Sequence, residues 1–273
     1  MQAFQYHKAP SLTAAAQALS KDPEAKPLSG GMTLLPTLKA RLAAPTQLID
    51  ITGISELSGI FHQGATLSIG AATRHYQVAS SDIVREAIPA LADLAGQIGD
   101  PQVRNRGTLG GSVANNDPAA DYPSAVLGLG ATIVTNLRQI AAADFFLGMF
   151  ATALEAGELI VRIDFPIPSK AAYAKFPHPA SGYAMAGVFI AKTTAGIQVA
   201  VTGAGPGVFR WAEAEHALSQ SFNPGVAATA ALAVSPLRAG RAVVLRSATA
   251  VLPNGLRASS FIKSPCGGEL TLP

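Results

Sequence analysis

Two glycine-rich segments hold the residues best suited to chemistry. The first is Ser29-Gly30-Gly31-Met32-Thr33-Leu34-Leu35-Pro36, and the second runs from Gln97 to Pro123. The second packs four glycines, two arginines, three asparagines and three aspartates into twenty-seven residues. Glycine lets a backbone approach a ligand closely and adopt positive φ, and successive exposed N–H groups make an anion cradle. In Gly107-Thr108-Leu109-Gly110-Gly111-Ser112 two hydroxyls join those N–H groups. A lone Gly-Gly more often just turns a corner, but two such turns in one chain suit a ligand with two phosphates, and a dinucleotide is the natural candidate. Asp117 and Asp121 stand one helical turn apart and suit either paired carboxylate chemistry or helix capping. Of the two, Asp121 is the better placed to receive a ligand hydroxyl.

Other nucleotide and nucleophile patterns fit less well. Gly203-Ala204-Gly205-Pro206-Gly207 has the wrong spacing for a Rossmann turn and lacks an acidic residue about twenty positions on. No Walker lysine follows either glycine segment. Gly110-Gly111-Ser112-Val113-Ala114 lacks the final glycine of a nucleophile elbow, and no histidine follows before His178.

The flanking pattern supplies the elements that would position these turns. Ser11 is placed to cap a helix through Leu19, and 25–28 reads as a short strand. Thr33 is the expected N-cap of a helix with Pro36 in its first turn, so the first glycine turn feeds a helix N-terminus. Strand character follows at 47–51, and a hairpin is expected from 57–61 and 66–70 around Gln63-Gly64. Thr73 is expected to cap a short helix. A longer one is expected from Asp82 to Ala95, with Ile83, Ala87, Leu91 and Leu94 on one face, leading into the second segment. After it come a helix at 122–127, strands at 131–135 and 159–165, paired strands at 183–191 and 197–203, and a helix at 212–219. Pro166 and Pro168 mark a boundary between a first domain, 1–168, and a second, 169–273.

Composition narrows the partners. With 273 residues, 49% of them hydrophobic, the chain can bury a large core. Only 14% is charged, a hint that part of its surface meets other protein. The net charge of +3 arises in the tail, where Arg238, Arg241, Arg246, Arg257 and Lys263 face only Glu269. No basic face interleaved with aromatics is visible, which argues against nucleic acid. Apolar runs near 125–134 and 226–234 are about half the length of a membrane span, and no secretory signal opens the chain. One cysteine, Cys266, excludes an iron–sulfur cluster held by this chain alone, and the five histidines show no ligand spacing, so no metal is expected.

The two glycine segments together, with Gly148-Met149-Phe150, Phe165-Pro166 and Ser181-Gly182-Tyr183-Ala184 in matching order, resemble the FAD-binding medium subunit of molybdenum hydroxylases. Within that family the carbon monoxide dehydrogenase medium chain is the best likeness, over roughly residues 1 to 222.

The resemblance implies an α+β chain: a two-lobed PCMH-type, vanillyl-alcohol-oxidase-like FAD domain with lobes of about 1–53 and 54–168, then a small α+β domain. It implies that Ser29, Gly30, Gly31, Met32, Thr33 and Leu34, with Thr108, Leu109, Gly110, Gly111 and Ser112, wrap the FAD pyrophosphate mainly through backbone N–H groups. Asp121 would take a polar group of the dinucleotide portion. Ile98 and Tyr183 would lie near the isoalloxazine ring and Ile160 near the cofactor, although on residue type alone both isoleucines read as core. Pro177 stands where the family often has a basic residue, and Lys175 is the substitute. The implied role is cytoplasmic electron transfer within a heterohexamer, a dimer of heterotrimers, whose large subunit holds the molybdenum cofactor and whose small subunit holds [2Fe-2S] clusters. The likeness ends near Asn223, and from His216 to Gly268 no acidic residue occurs, as a shifted reading frame would produce.

Overall fold

The computed structural model describes residues 1–220. Cys266 and the anomalous tail, with its shifted-frame explanation, lie outside the described residues. The chain opens with β1 (Gln5–Lys8), α1 (Leu12–Lys21), β2 (Lys26–Leu28), α2 (Leu34–Lys39) and β3 (Gln47–Asp50). The strands pair in parallel in the order β1-β3-β2. Ser11 caps α1 by accepting the Ala14 N–H at 3.2 Å. Ala15 and Leu19 of that helix bury against Ile49, Ile51 and Leu57. The first glycine turn therefore leaves the carboxyl end of a parallel strand, the end where open α/β sheets bind ligands.

A hairpin of β4 (Ile60–Gln63) and β5 (Thr66–Gly70) follows, then helices α3 (His75–Ser80), α4 (Asp82–Ala87), α5 (Pro89–Gly96), α6 (Pro101–Arg106), α7 (Leu109–Asn115) and α8 (Tyr122–Gly128). After these come β6 (Thr132–Thr135), β7 (Gln139–Ala141), α9 (Ala142–Phe145), the ribbon β8 (Phe146–Gly148) and β9 (Ala151–Thr152), and β10 (Ile160–Pro166). Five strands make an antiparallel sheet in the order β4-β5-β10-β6-β7. Leu67, Ile69, Ile163 and Phe165 turn one face of it into a core with Leu91, Leu94 and Tyr122.

The last described part is an antiparallel sheet of β11 (Lys170–Pro177), β12 (Ala184–Thr193), β13 (Gly196–Thr202) and β14 (Phe209–Arg210), followed by α10 (Ala212–Gln220). Alternation sorts its two faces. Phe189, Ala191 and Ala200 join the core around α5 and α8, while Val188, Ile190 and Val199 pack with Trp211, Ala214 and Leu218 on the other side. Both faces of β12 are thus covered, which is why its sequence is apolar almost throughout.

Several local expectations fail for identifiable reasons. The helix expected over 82–95 is two, because Pro89 removes an N–H and starts α5, while Ser81 caps α4. Ile83, placed on the buried face by that single-helix register, is 42% exposed, and Val84 is buried in its stead. Thr33 makes no side-chain cap, since its own backbone is already helical at φ −103 and ψ −48. Thr73 likewise caps nothing: its hydroxyl bonds both backbone groups of Gly59, and Arg74 stands at the head of α3. The second glycine segment contains α6 and α7, and Asp117 does not cap the helix that follows but accepts the Ala119 N–H in a local turn.

Candidate cofactor cavity

The two glycine turns meet. Ser29 and Thr108 share a hydroxyl–hydroxyl hydrogen bond of 3.0 Å across 79 positions of sequence. A Cβ on Gly30 would fall 2.2 Å from the Arg106 carbonyl oxygen and 2.7 Å from the Gly107 Cα, so the backbones cross where only glycine fits. Gly31 adopts φ +74, the left-handed bend that turns the chain into α2.

The turns differ in what they leave free. Among the described residues, no acceptor lies within reach of the N–H groups of Gly30, Gly31, Met32 and Thr33. In the second turn the Leu109 N–H bonds Thr73 O at 3.0 Å and the Gly110 N–H bonds Ala71 O at 2.8 Å. Thr108 caps α7 by accepting the Gly111 N–H. The first turn thus offers a run of donors, while the second spends most of its own on fastening itself to the end of β5. The expectation that both turns work mainly through backbone N–H groups is corrected for the second.

Beside the crossing lies a cavity of about 770 Å³, within the range of small-molecule and cofactor sites. Ser29, Gly30, Gly31, Met32, Thr33 and Leu34 form one wall, and Thr108, Gly110, Gly111 and Ser112 face them. Ile98, Asp121, Ile160 and Tyr183 also line it. Leu109 is fully buried in the core away from it, because α7 rolls that side chain inward. Lys175 is off the cavity too, with its side chain 2% exposed.

Asp121 is also recast. Its carboxylate bonds the Tyr173 hydroxyl and, at 2.9 and 3.0 Å, the Lys175 ammonium, which also reaches Gln97 O at 3.1 Å. Burial pushes the Asp121 carboxyl up, and Lys175 is the largest influence opposing it. Desolvation, then the Asp121 charge, raises the Tyr173 hydroxyl. The carboxylate expected to meet a ligand is thus tied to the C-terminal sheet, and it fixes that sheet to the start of α8.

Sequence reasoning passed over Gly99, Asp100, Leu159 and His75 as lining residues. Two of them stand inside the motif already singled out. His75 carried no spacing signal; it is reached because its N–H bonds Gly107 O at 2.9 Å. Burial, with the Arg104 charge second, lowers its imidazole to about 4. At the other end, the buried Glu158 binds Arg138, Thr135 and the Glu155 N–H, anchoring the bend that presents Leu159 and Ile160.

Known proteins share this fold. The family of the FAD binding domain in molybdopterin dehydrogenase matches residues 2–168. The chain belongs to this family. Over 220 residues it is 38% identical to the carbon monoxide dehydrogenase medium chain of Hydrogenophaga pseudoflava, covering 76% of this chain and 77% of that one. It is 39% identical over 194 residues to the glyceraldehyde dehydrogenase medium chain of Sulfolobus acidocaldarius, 69% of each. Among solved structures, carbon monoxide dehydrogenase from Hydrogenophaga pseudoflava superposes with a TM-score of 0.83 at 36% identity, over 92% of this chain and 97% of that chain. Quinoline 2-oxidoreductase from Pseudomonas putida 86 gives 0.79 at 31%, over 92% and 94%.

This molybdopterin-dehydrogenase FAD chain is an oxidoreductase subunit with the PCMH-type fold, and its cofactor is FAD. The residues present fit that group, because the unpartnered N–H run at Gly30–Thr33 suits a pyrophosphate and the apolar wall of Ile98, Leu159 and Ile160 suits a flat ring. No helix among the described residues is long and apolar enough to cross a membrane.

Proposed function

We propose that this chain carries FAD in the cavity between its two glycine turns and serves as the electron-transfer subunit of a molybdenum hydroxylase complex. Electrons would arrive from [2Fe-2S] clusters on a small partner and leave to an external acceptor, with a large subunit holding the molybdenum cofactor. The observation that carries this is the joining of the two turns beside a run of four free N–H groups. When bound, FAD supplies two-electron chemistry that no side chain here possesses.

The protein's own residues hold and shape. Gly30–Thr33 donate to the pyrophosphate, Thr108 and Ser112 add hydroxyls, and Ile98 and Ile160 exclude water from the ring. Asp121 is held by Lys175 and Tyr173, and Glu158 by Arg138, so both stiffen the walls. Phe150 and Tyr183, 58% and 48% exposed, both line the cavity, and such exposed aromatics suit a partner covering the cofactor. Relatives include medium chains of glyceraldehyde, carbon monoxide and nicotine enzymes, which supports placing substrate choice on another subunit. A cytoplasmic dimer of heterotrimers is the assembly we assign.

The test is co-expression with the large and small subunits followed by anaerobic addition of the complex's substrate. Flavin absorbance should bleach after the iron–sulfur bands do. A flavin that stays oxidised while the clusters are reduced would refute electron transfer through this chain. Turnover by this chain alone would favour a self-sufficient oxidoreductase, and a folded chain that takes up no FAD would favour a scaffold.

A further inference from the structure

The cavity edge at Gln97–Asp100 has an unusual backbone polarity. Three successive carbonyls are taken by two cations. Lys175 Nζ donates to Gln97 O at 3.1 Å, and Arg104 Nη1 donates to Ile98 O at 3.1 Å and to Gly99 O at 2.8 Å. Neither cation lines the cavity, whereas Ile98, Gly99 and Asp100 do. The carbonyls are therefore pulled behind the segment, and Gly99 accommodates the bend with φ +51. Among the described residues, the N–H groups of Gly99 and Asp100 have no acceptor. The Asp100 carboxylate is itself turned to the Val103 N–H at 2.8 Å, where it caps α6. The edge that meets the cavity thus offers two donors and no free carbonyl.

We propose that Arg104 is a positioning residue that sets this polarity: by holding the Ile98 and Gly99 carbonyls away, it leaves a donor-only edge that favours the reduced cofactor over the oxidised one. This rests on FAD occupying the cavity with its ring against Ile98, as in the function proposed above. On reduction, oxidised FAD takes up two electrons and one proton and so gains one negative charge, and N–H donors at a fixed edge stabilise the form that carries it. In the complex the electrons come from the partner's clusters, and in the test they come from dithionite. A loss of Arg104 frees both carbonyls to turn their negative ends toward the ring.

The experiment compares reduction potentials of bound flavin in full-length wild-type protein, Arg104→Met and Arg104→Lys. Arg104→Met should lower the preference for reduced over oxidised FAD about tenfold, a fall of about 30 mV for a two-electron couple. Arg104→Lys, which keeps the charge and a donor nitrogen on a shorter side chain, should recover part of it. A purely structural role would reduce flavin content and leave the potential of the flavin still bound unchanged, and that result overturns the proposal. If Arg104→Met does not fold, the wild-type protein still decides: it should bind reduced FAD more tightly than oxidised FAD, and equal or weaker binding of the reduced form contradicts the inference. Failure of wild-type protein to bind either form would instead refute the siting of FAD, a separate outcome.

Discussion

Lys175 and Asp121 form a buried ion pair whose loss can be worked through in detail. Their side chains are 2% and 4% exposed, and the ammonium touches both carboxylate oxygens. Removing one member of such a pair strands the other charge and costs about 3–5 kcal/mol. Lys175→Met should therefore lower the melting temperature by roughly 6–20 °C at neutral pH, given about 2–4 °C per kcal/mol for a domain of this size. The cost should depend on pH in a definite direction. Burial already raises the Asp121 carboxyl, and Lys175 is the main influence holding it down. Without that cation the folded-state pKa rises further above its unfolded value, so the native state binds the extra proton. Stability of Lys175→Met should then improve as pH falls through the mildly acidic range, where Asp121 becomes neutral. Lys175→Met combined with Asp121→Asn should recover more than half of the loss, because the amide oxygen still accepts from Tyr173. Urea unfolding of the two single variants and the double at neutral and mildly acidic pH measures each of these. Additive losses with no pH dependence would mean that the pair is not coupled as its geometry indicates.

Three further outcomes follow from the same contacts. Gly110→Ala should destabilise the FAD-free protein by about 1–3 kcal/mol, since its Cβ would fall 2.5 Å from the Ala71 Cβ and 2.8 Å from the Ala71 oxygen; an unchanged melt would contradict that packing. Ser29→Ala should weaken FAD binding and cost about 1 kcal/mol by removing the hydroxyl bond to Thr108, measured by flavin titration and thermal melting. His75, held near 4 when folded against an ordinary 6.5, binds its proton more readily in the unfolded chain. Its contribution is complete above about 6.5 and is lost as pH falls toward 4, by about 3 kcal/mol in all, and His75→Phe should flatten that part of the pH–stability curve.

Much of the fold was legible because its signals were local. Ser11 before an apolar repeat capped α1, the Gln63-Gly64 turn gave the β4–β5 hairpin, and the paired runs at 183–191 and 197–203 became β12 and β13. What escaped depended on tertiary context. β11 reads as irregular alone, because Lys170–Pro177 mixes small, charged and aromatic residues, and pairing with β12 makes it a strand. Four glycines and many polar residues hide any helical pattern between 97 and 121, yet Asp100 and Thr108 each cap a short helix there. Most of the cavity's lining was visible as a set because glycines betray close backbone approach. The residues' individual tasks were not. Gly110 lines the cavity and also makes room for Ala71, a contact its sequence does not announce. Asp121 was expected to meet a ligand hydroxyl, and Lys175 and Tyr173 claim it, partners more than fifty positions away.

Amide hydrogen exchange of the full chain, stripped of FAD and then reloaded, addresses the siting of the cofactor most directly. The free N–H groups of Gly30–Thr33 should exchange fast without FAD and slow sharply with it, while those of Leu109 and Gly110, already bonded to Thr73 and Ala71, should be slow in both states. FAD binding that leaves Gly30–Thr33 unprotected and slows a distant segment instead would contradict the placement of the cofactor between the two turns.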